Sequence, residues 1–237
     1  LADWKTDSHR QKERSILPIH AERLFEVVQD DAMPYPMLMM AKKRSLRQYR
    51  TEGEWAWSIC KYELLLGIVN ERFRFMHRAL DSLVSRGRLG SQHLSEGMEQ
   101  EILHGVLDAD NWQGSIQELI QQVQQLKQFG ITEDELARAK DRQITNARVV
   151  NENLPTFKAR THVQNIMGHV LEGDPLWPED GMKEITERWT PLITVDDINE
   201  DLSTLLEGDG VVVYLLTPDE GHTSDDLQSW IENAEAI

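Results

Sequence analysis

The sequence predicts an α+β fold, in which helices pack on one face of a mostly antiparallel sheet. Two short strand-like segments open the chain, and another, residues 211–216, stands near its end. Between them lie several stretches in which apolar residues recur at steps of three or four, as they do along one face of a helix. Strands separated in sequence by such helices are typical of one sheet covered by a helical layer.

The two opening strands are predicted at residues 24–29 and 37–41. The first contains Phe25 and Val27, and the second is a run of Met and Leu that follows Pro36. Asp and Pro residues between the two segments have the chemistry of a turn. The pattern therefore predicts a hairpin or a sheet edge.

A long helix is predicted next, from about residue 48 to residue 76. Trp55, Ile59, Tyr62 and Leu66 recur with helical spacing along one face of it. The segment Arg86-Gly87-Arg88-Leu89-Gly90 then interrupts the periodicity and is interpreted as a loop. Residues 98–107 are interpreted as the third strand.

Capping residues mark the later helix boundaries. An amphipathic helix ends at Gly130, a typical C-terminal cap, and Thr132 with Glu135 forms a capping box that opens the next helix. Further helices are predicted from Pro155 to Gly173, from Thr194, and from a cap at Ser224-Asp225-Asp226. The paired acids Asp196-Asp197 and Asp225-Asp226 are interpreted as helix caps rather than as catalytic acids.

The net charge of −16 is concentrated near the end of the chain. Residues 189–237 contain twelve Asp and Glu and no Lys or Arg, whereas the first 188 residues are almost balanced. A protein that binds nucleic acid usually has a net basic face, so this class of partner is excluded. No apolar run is long enough to cross a membrane. We expect the acidic segment to favour cationic or extended peptides, or to dock against a basic neighbour.

Two partial zinc motifs lack their last ligand. His93-Leu94-Ser95-Glu96 and His169-Val170-Leu171-Glu172 each begin like the inverted His-x-x-Glu-His motif, but Gly97 and Gly173 stand where the second histidine belongs. Glycine has no side chain to bind a metal, so neither motif predicts a zinc site. The single cysteine, Cys60, is interpreted as a buried, inert thiol. The basic run Lys42-Lys43-Arg44 is interpreted as a solvated strand end rather than as an anion site.

Four segments resemble the pitrilysin/insulinase family of zinc metallopeptidases, in the order found in that family. Residues 129–140, FGITEDELARAK, resemble its junction between two helices, and residues 20–41 are similar to its two opening strands. The stretch from Tyr49-Arg50 to residues 70–73 resembles its long helix. The segment ITVDDI, residues 193–198, resembles the helix start that precedes the last strand.

The resemblance implies a domain that is not itself catalytic. Domains of this family repeat along a long chain and enclose an unfolded peptide, and only one of them carries the zinc motif, on the long helix. Here that helix contains no histidine, so no catalytic, metal-ligating or cofactor-binding residue can be assigned. The family's clamping domain often offers an Arg and a Tyr to the substrate carbonyl. Arg86 and Arg88 lie in a suitable segment, but no Tyr follows them. Binding of the substrate carbonyl is therefore not assigned to these two arginines.

The predicted organisation is one pitrilysin-like domain over residues 1–237, with a lead-in segment at 1–16 and a C-terminal extension at 221–237. Because the chain begins with Leu and has no apolar leader, we expect it to be a piece of a longer chain. The expected partners are other domains of that chain and extended peptide, with zinc only in the catalytic domain. The resemblance implies a periplasmic location, with the cytoplasm as the alternative. The oligomeric state stays open.

Two other interpretations fit the same residues. The chain could be a complete non-catalytic subunit that pairs with a separate zinc peptidase. It could also be an unrelated α+β module for protein interaction, in which case the opening order of two strands, long helix and strand would be absent.

Overall fold

The computed structural model describes residues 17–236 except 48, 96, 155–162, 164, 165, 168–180, 219 and 220. The strands are β1 (Leu24–Gln29), β2 (Met37–Ser45), β3 (Val84–Ser95), β4 (Met98–Leu107) and β5 (Val211–Thr217). The helices are α1 (Glu52–Met76), α2 (Trp112–Phe129), α3 (Glu133–Asn153), α4 (Gly181–Trp189), α5 (Val195–Ser203) and α6 (Ser224–Glu235), with a 3₁₀ turn at Thr190–Leu192. None of the described helices is long and apolar enough to cross a membrane.

The described strands form one sheet in the order β1-β5-β2-β4-β3. Only the β1–β5 pair is parallel, and the other three pairs are antiparallel, which confirms the predicted mostly antiparallel sheet. β1 lies at an edge as predicted, but the alternative prediction of a hairpin with β2 is wrong, because β5 inserts between them. β5 is far from β1 and β2 in sequence, so no local sequence pattern indicates that these strands pair.

The segment 86–90, predicted to be a loop, lies within β3. Gly87 interrupts the apolar alternation because its side-chain position is already filled: a Cβ there would lie 3.2 Å from a ring carbon of Phe73 and 3.2 Å from Nε2 of His77. Arg86 and Arg88 point to the opposite face and are exposed. The strand therefore alternates between glycine or leucine on the inner face and arginine on the outer face.

The helices cover one face of the sheet, as predicted. α1 packs on β3, α2 on β3 and β4, and α6 on β1, while α3 and α4 pack on the outer side of α1. Phe73 of α1, Leu38 of β2 and Val213 of β5 are fully buried in the shared core. The opposite face of the sheet carries no described helix, and Leu24 and Val28 on it are 45% and 41% exposed.

Side-chain caps fix the helix starts where the sequence predicted them, with one shift of residue. Thr132 and Glu135 form the capping box of α3, and Thr194 and Asp197 form that of α5. The last helix is capped by Thr223 with Asp226, not by Ser224, which is its first helical residue. The hydroxyl of Thr223 accepts a hydrogen bond from the backbone N–H of Asp226 at 3.2 Å. The predicted helix from Pro155 to Gly173 lies outside the described residues, apart from three single positions.

The junction between α2 and α3 is held by two other elements. Gly130 has φ 66° and ψ −155°, a conformation open essentially only to glycine. Asn199 of α5 accepts a 2.9 Å hydrogen bond from the N–H of Ile131. Arg72 of α1 donates to both carboxylate oxygens of Glu135, at 2.7 and 2.9 Å, and to the carbonyl of Gly130 at 2.8 Å. The FGITEDEL segment is thus the point where four helices, α1, α2, α3 and α5, are joined.

Candidate functional site

The long helix α1 is the element on which the resemblance places the zinc motif of a catalytic domain. Its first half presents Trp55, Ser58 and Tyr62 towards the sheet, and no histidine lies on the helix. His93 lies on strand β3 rather than on a helix, and Glu96, His169 and Glu172 are outside the described residues. In the described part of the chain, no group of three His, Cys, Asp or Glu is placed to hold a metal.

Cys60 is buried in α1, as predicted. Burial raises the pKa of its thiol to about 11, against a smaller opposing effect of a hydrogen bond with Thr190. The thiol is therefore protonated at neutral pH and is a poor nucleophile.

The outer edge of β3 is capped over its first half by α1. Asn70 acts like a short neighbouring strand, because its Nδ2 donates to the carbonyl of Leu89 at 2.9 Å and its Oδ1 accepts from the N–H of Leu89 at 2.8 Å. Nε2 of His77 accepts a 2.5 Å hydrogen bond from the N–H of Gly87. No incoming strand can pair with Gly87 or Leu89 unless these side chains leave.

The same edge is open further along β3. Backbone groups that point outwards alternate along an antiparallel edge strand, so those of Ser91 point the same way as those of Leu89. No described residue pairs with the main chain of Ser91 on that side. The open part of the edge therefore begins where the cap made by Asn70 ends.

A cavity of about 150 Å³ lies beside this open edge. It is bounded by the first half of α1, the segment after β2 and the ends of three strands. Its walls contain Arg44, Arg47, Tyr49, Ser58, Tyr62, Ser91, His93 and Glu99, with Leu46, Trp55 and Ile59 as apolar neighbours. The cavity lies beside the first half of the long helix, and the resemblance places the zinc motif of a catalytic domain on that helix.

A hydrogen-bond cluster forms one wall of the cavity. Nη1 of Arg47 donates to Oγ of Ser58 at 3.0 Å, and the hydroxyl of Tyr49 donates to the same atom at 3.2 Å. Ser58 is 9% exposed and Tyr49 is 38% exposed. The serine thus anchors the cluster from inside, and the tyrosine stands at the mouth.

The opposite wall is charged and largely buried. Nε of Arg44 donates to Glu99 at 2.8 Å, and its guanidinium lies 5.5 Å from the ring centroid of Tyr62. Burial works against the charge of Arg44, but Glu99 and Glu101 outweigh it and raise the pKa of the guanidinium. Burial also raises the pKa of Glu101, and burial together with Glu101 raises the pKa of Tyr62 to about 12. The interpretation of Lys42-Lys43-Arg44 as a solvated strand end is wrong for Arg44, which is held by these acids.

A second, larger cavity of about 390 Å³ lies between α1, α3 and α4, remote from the sheet edges. Gln143 in its wall donates to Glu63 at 3.0 Å, and Arg142 pairs with Glu71. Burial raises the pKa of Glu63, while the hydrogen bond from Gln143 lowers it. These polar groups thus bind each other, whereas Oδ1 of Asn151 in the same wall is buried without a hydrogen-bond partner among the described residues.

The acidic segment adds no charge to the uncovered sheet face. Its strand β5 contributes Val212, Tyr214 and Leu216 there, and its described acids lie mainly on α5 and α6 and in the loop between α5 and β5. The basic groups at strand positions of that face include Lys43, Arg86 and Arg88, and His104 lies beside the two arginines. Burial, followed by the positive charges of Arg88 and Arg86, lowers the pKa of His104. β5 therefore carries no acid on this face, where the exposed acid Glu26 of β1 lies opposite Tyr214.

Comparison with solved structures shows the fold. No protein-family model and no curated protein matches the sequence. The chain is similar to the first half of the periplasmic protease PqqL from Escherichia coli, with a TM-score of 0.82 and 15% identity over 95% of this chain and 50% of that one. It is similar to a predicted insulinase family protease from Yersinia pestis, with a TM-score of 0.76 and 7% identity over 90% of this chain and 46% of that one.

A third similar structure is the inactive domain of a peptidase M16 from Pseudomonas fluorescens, with a TM-score of 0.58 and 13% identity over 86% of this chain and 45% of that one. The chain spans about half the length of each of these three structures. These likenesses confirm the pitrilysin-like fold.

Proposed function

We propose that this chain, which has the pitrilysin-like fold, is a non-catalytic domain of a zinc metalloprotease and helps to enclose and hold extended peptide. The observation that carries the proposal is the open edge of β3 beside a polar cavity, at a place where α1 has no zinc ligands. Extended peptides bind to such edges by adding a strand, because the main chain supplies the hydrogen bonds.

The uncovered sheet face is consistent with a role as one wall of a peptide-enclosing chamber. Its part on β1 and β5 is mostly apolar, with Leu24 and Val28 partly exposed, whereas β3 contributes Arg86 and Arg88. Unfolded peptides present apolar side chains of the same kind. The other walls would come from further domains of the parent chain, and its zinc from the catalytic domain. A periplasmic location belongs to this proposal, because one similar protease is periplasmic.

Strand addition is tested with a short labelled peptide of alternating Thr and Val residues and with the same peptide N-methylated at alternate amides. Fluorescence anisotropy should show that the purified chain binds the first peptide about tenfold more tightly than the second, because methylation removes the donors that face the protein. The substitution Ser91→Pro should weaken binding of the unmodified peptide, whereas Ser91→Thr should not.

Ser91→Pro removes an N–H that points away from β4, so the variant is expected to keep the circular dichroism spectrum of the wild type. Equal affinity for the methylated and unmodified peptides would contradict strand addition.

A further inference from the structure

We propose that the cavity beside the open edge of β3 binds the carboxylate of an extended peptide, held by Arg47, Tyr49 and Ser58. The inference rests on the proposed function, because it assumes that a peptide reaches this edge. It adds the chemical class of the group that is recognised.

The charge of Arg47 is available to a ligand. Its guanidinium has five N–H donors, and in the described part of the chain it donates to one acceptor, Ser58. No described carboxylate lies within ion-pair distance of it, whereas the other arginine of the cavity, Arg44, is paired with Glu99 at 2.8 Å. A planar guanidinium fork fits the two oxygens of a carboxylate.

Ser58 and Tyr49 add neutral donors beside this charge. Oγ of Ser58 accepts from both Arg47 and Tyr49, so the serine proton itself is left to donate. No described acceptor takes that proton. An acceptor that enters the cavity would find the guanidinium and the serine hydroxyl side by side, 3.0 Å apart.

The size and charge of the cavity favour a carboxylate over a larger anion. A volume of about 150 Å³ corresponds to about five water molecules, which is enough for the end of one side chain. Glu99 lines the cavity from β4, and the buried Glu101 lies two residues further along the same strand. Glu99 is neutralised by Arg44, and burial raises the pKa of Glu101. Because these acids are close, a dianion such as a phosphate would be disfavoured.

A bound peptide would direct side chains into the cavity. Ser91 and His93 lie on the helix-covered face of β3 and line the cavity. Side chains of directly opposite residues on paired strands stand about 5 Å apart. A peptide paired with Ser91 therefore directs the side chain opposite Ser91 towards the cavity that Arg47 lines, whereas Arg86 and Arg88 lie on the opposite face and cannot reach it.

The test uses the labelled Thr/Val peptide with a central Glu, Gln or Lys, each with a free or an amidated C terminus. With the wild-type chain, we expect the Glu peptide to bind about tenfold more tightly than the Gln peptide at low salt, and the Lys peptide to bind most weakly. Arg47→Gln should remove the advantage of Glu, so that the Glu and Gln peptides bind with about equal affinity. Tyr49→Phe should reduce the advantage.

The matched control is Arg138→Gln, which removes an exposed arginine from α3 and should preserve the advantage. If amidation of the C terminus weakens binding and the change from Glu to Gln does not, the recognised carboxylate is the chain end. If all the peptides bind with equal affinity, the carboxylate site is wrong but strand addition stands. If none of them binds, both proposals are wrong.

Discussion

Replacing Gly130 by alanine should lower the free energy of unfolding by about 3 kcal/mol. The backbone of Gly130 has φ 66° and ψ −155°, where an L side chain is strained. A Cβ at this position would also lie 2.5 Å from Oδ1 of Asn199. Because that oxygen accepts the N–H of Ile131, the clash would break a buried hydrogen bond as well. Urea unfolding followed by tryptophan fluorescence measures the effect.

Gly67→Ala is the control for this substitution. Gly67 lies in the middle of α1 with no heavy atom within 4 Å of its Cβ position, and alanine is favoured over glycine in a helix by up to about 1 kcal/mol. The control should be neutral or stabilising. A Gly130→Ala variant as stable as the wild type would contradict the role given to this junction.

Replacing Glu135 by glutamine should reduce stability at neutral pH by about 2 kcal/mol and make it less sensitive to acid. The hydrogen bonds from Arg72, together with those from Thr132, lower the pKa of Glu135 to about 2, against an opposing effect of burial. A carboxylate whose pKa is lower in the folded state binds fewer protons there than in the unfolded chain. Its contribution is therefore fully present above about pH 4.5 and is lost as the pH falls towards 2.

The difference in stability between wild type and Glu135→Gln should thus shrink over this pH range. Glu133→Gln is the matched control, because Glu133 lies in the first turn of the same helix and is exposed. Urea midpoints at several pH values give the comparison. A difference that stays constant down to pH 2 would show that the Arg72–Glu135 pair does not carry the effect.

Local sequence signals predicted the parts of the fold that depend on local contacts. The apolar stripe of α1 and the capping box at Thr132 and Glu135 are set by neighbouring residues, and both were placed correctly. β3 was missed because Gly87 replaces an apolar residue where Phe73 fills the space. The position of β5 between β1 and β2 depends on pairing across the whole chain, for which the sequence has no local pattern.

The candidate site could be predicted only in part. The absence of histidine from α1 was visible in the sequence, and it excluded a zinc site on that helix. The cavity could not be predicted from the sequence. Arg44 is held in its wall by Glu99, which is remote in sequence, and Arg47 is held by a hydrogen bond to a serine inside the helix. The one available signal was a cluster of Arg and Tyr directly before the long helix.

The most direct test of the account is to incubate the chain with the Thr/Val peptide and zinc, and to measure bound metal by elemental analysis and peptide integrity by mass spectrometry. We predict that the peptide is bound and stays intact, that the chain carries no stoichiometric zinc, and that a chelator changes neither result. One tight zinc per chain, lost on substitution of His93 or His169, together with cleavage that a chelator abolishes, would contradict it.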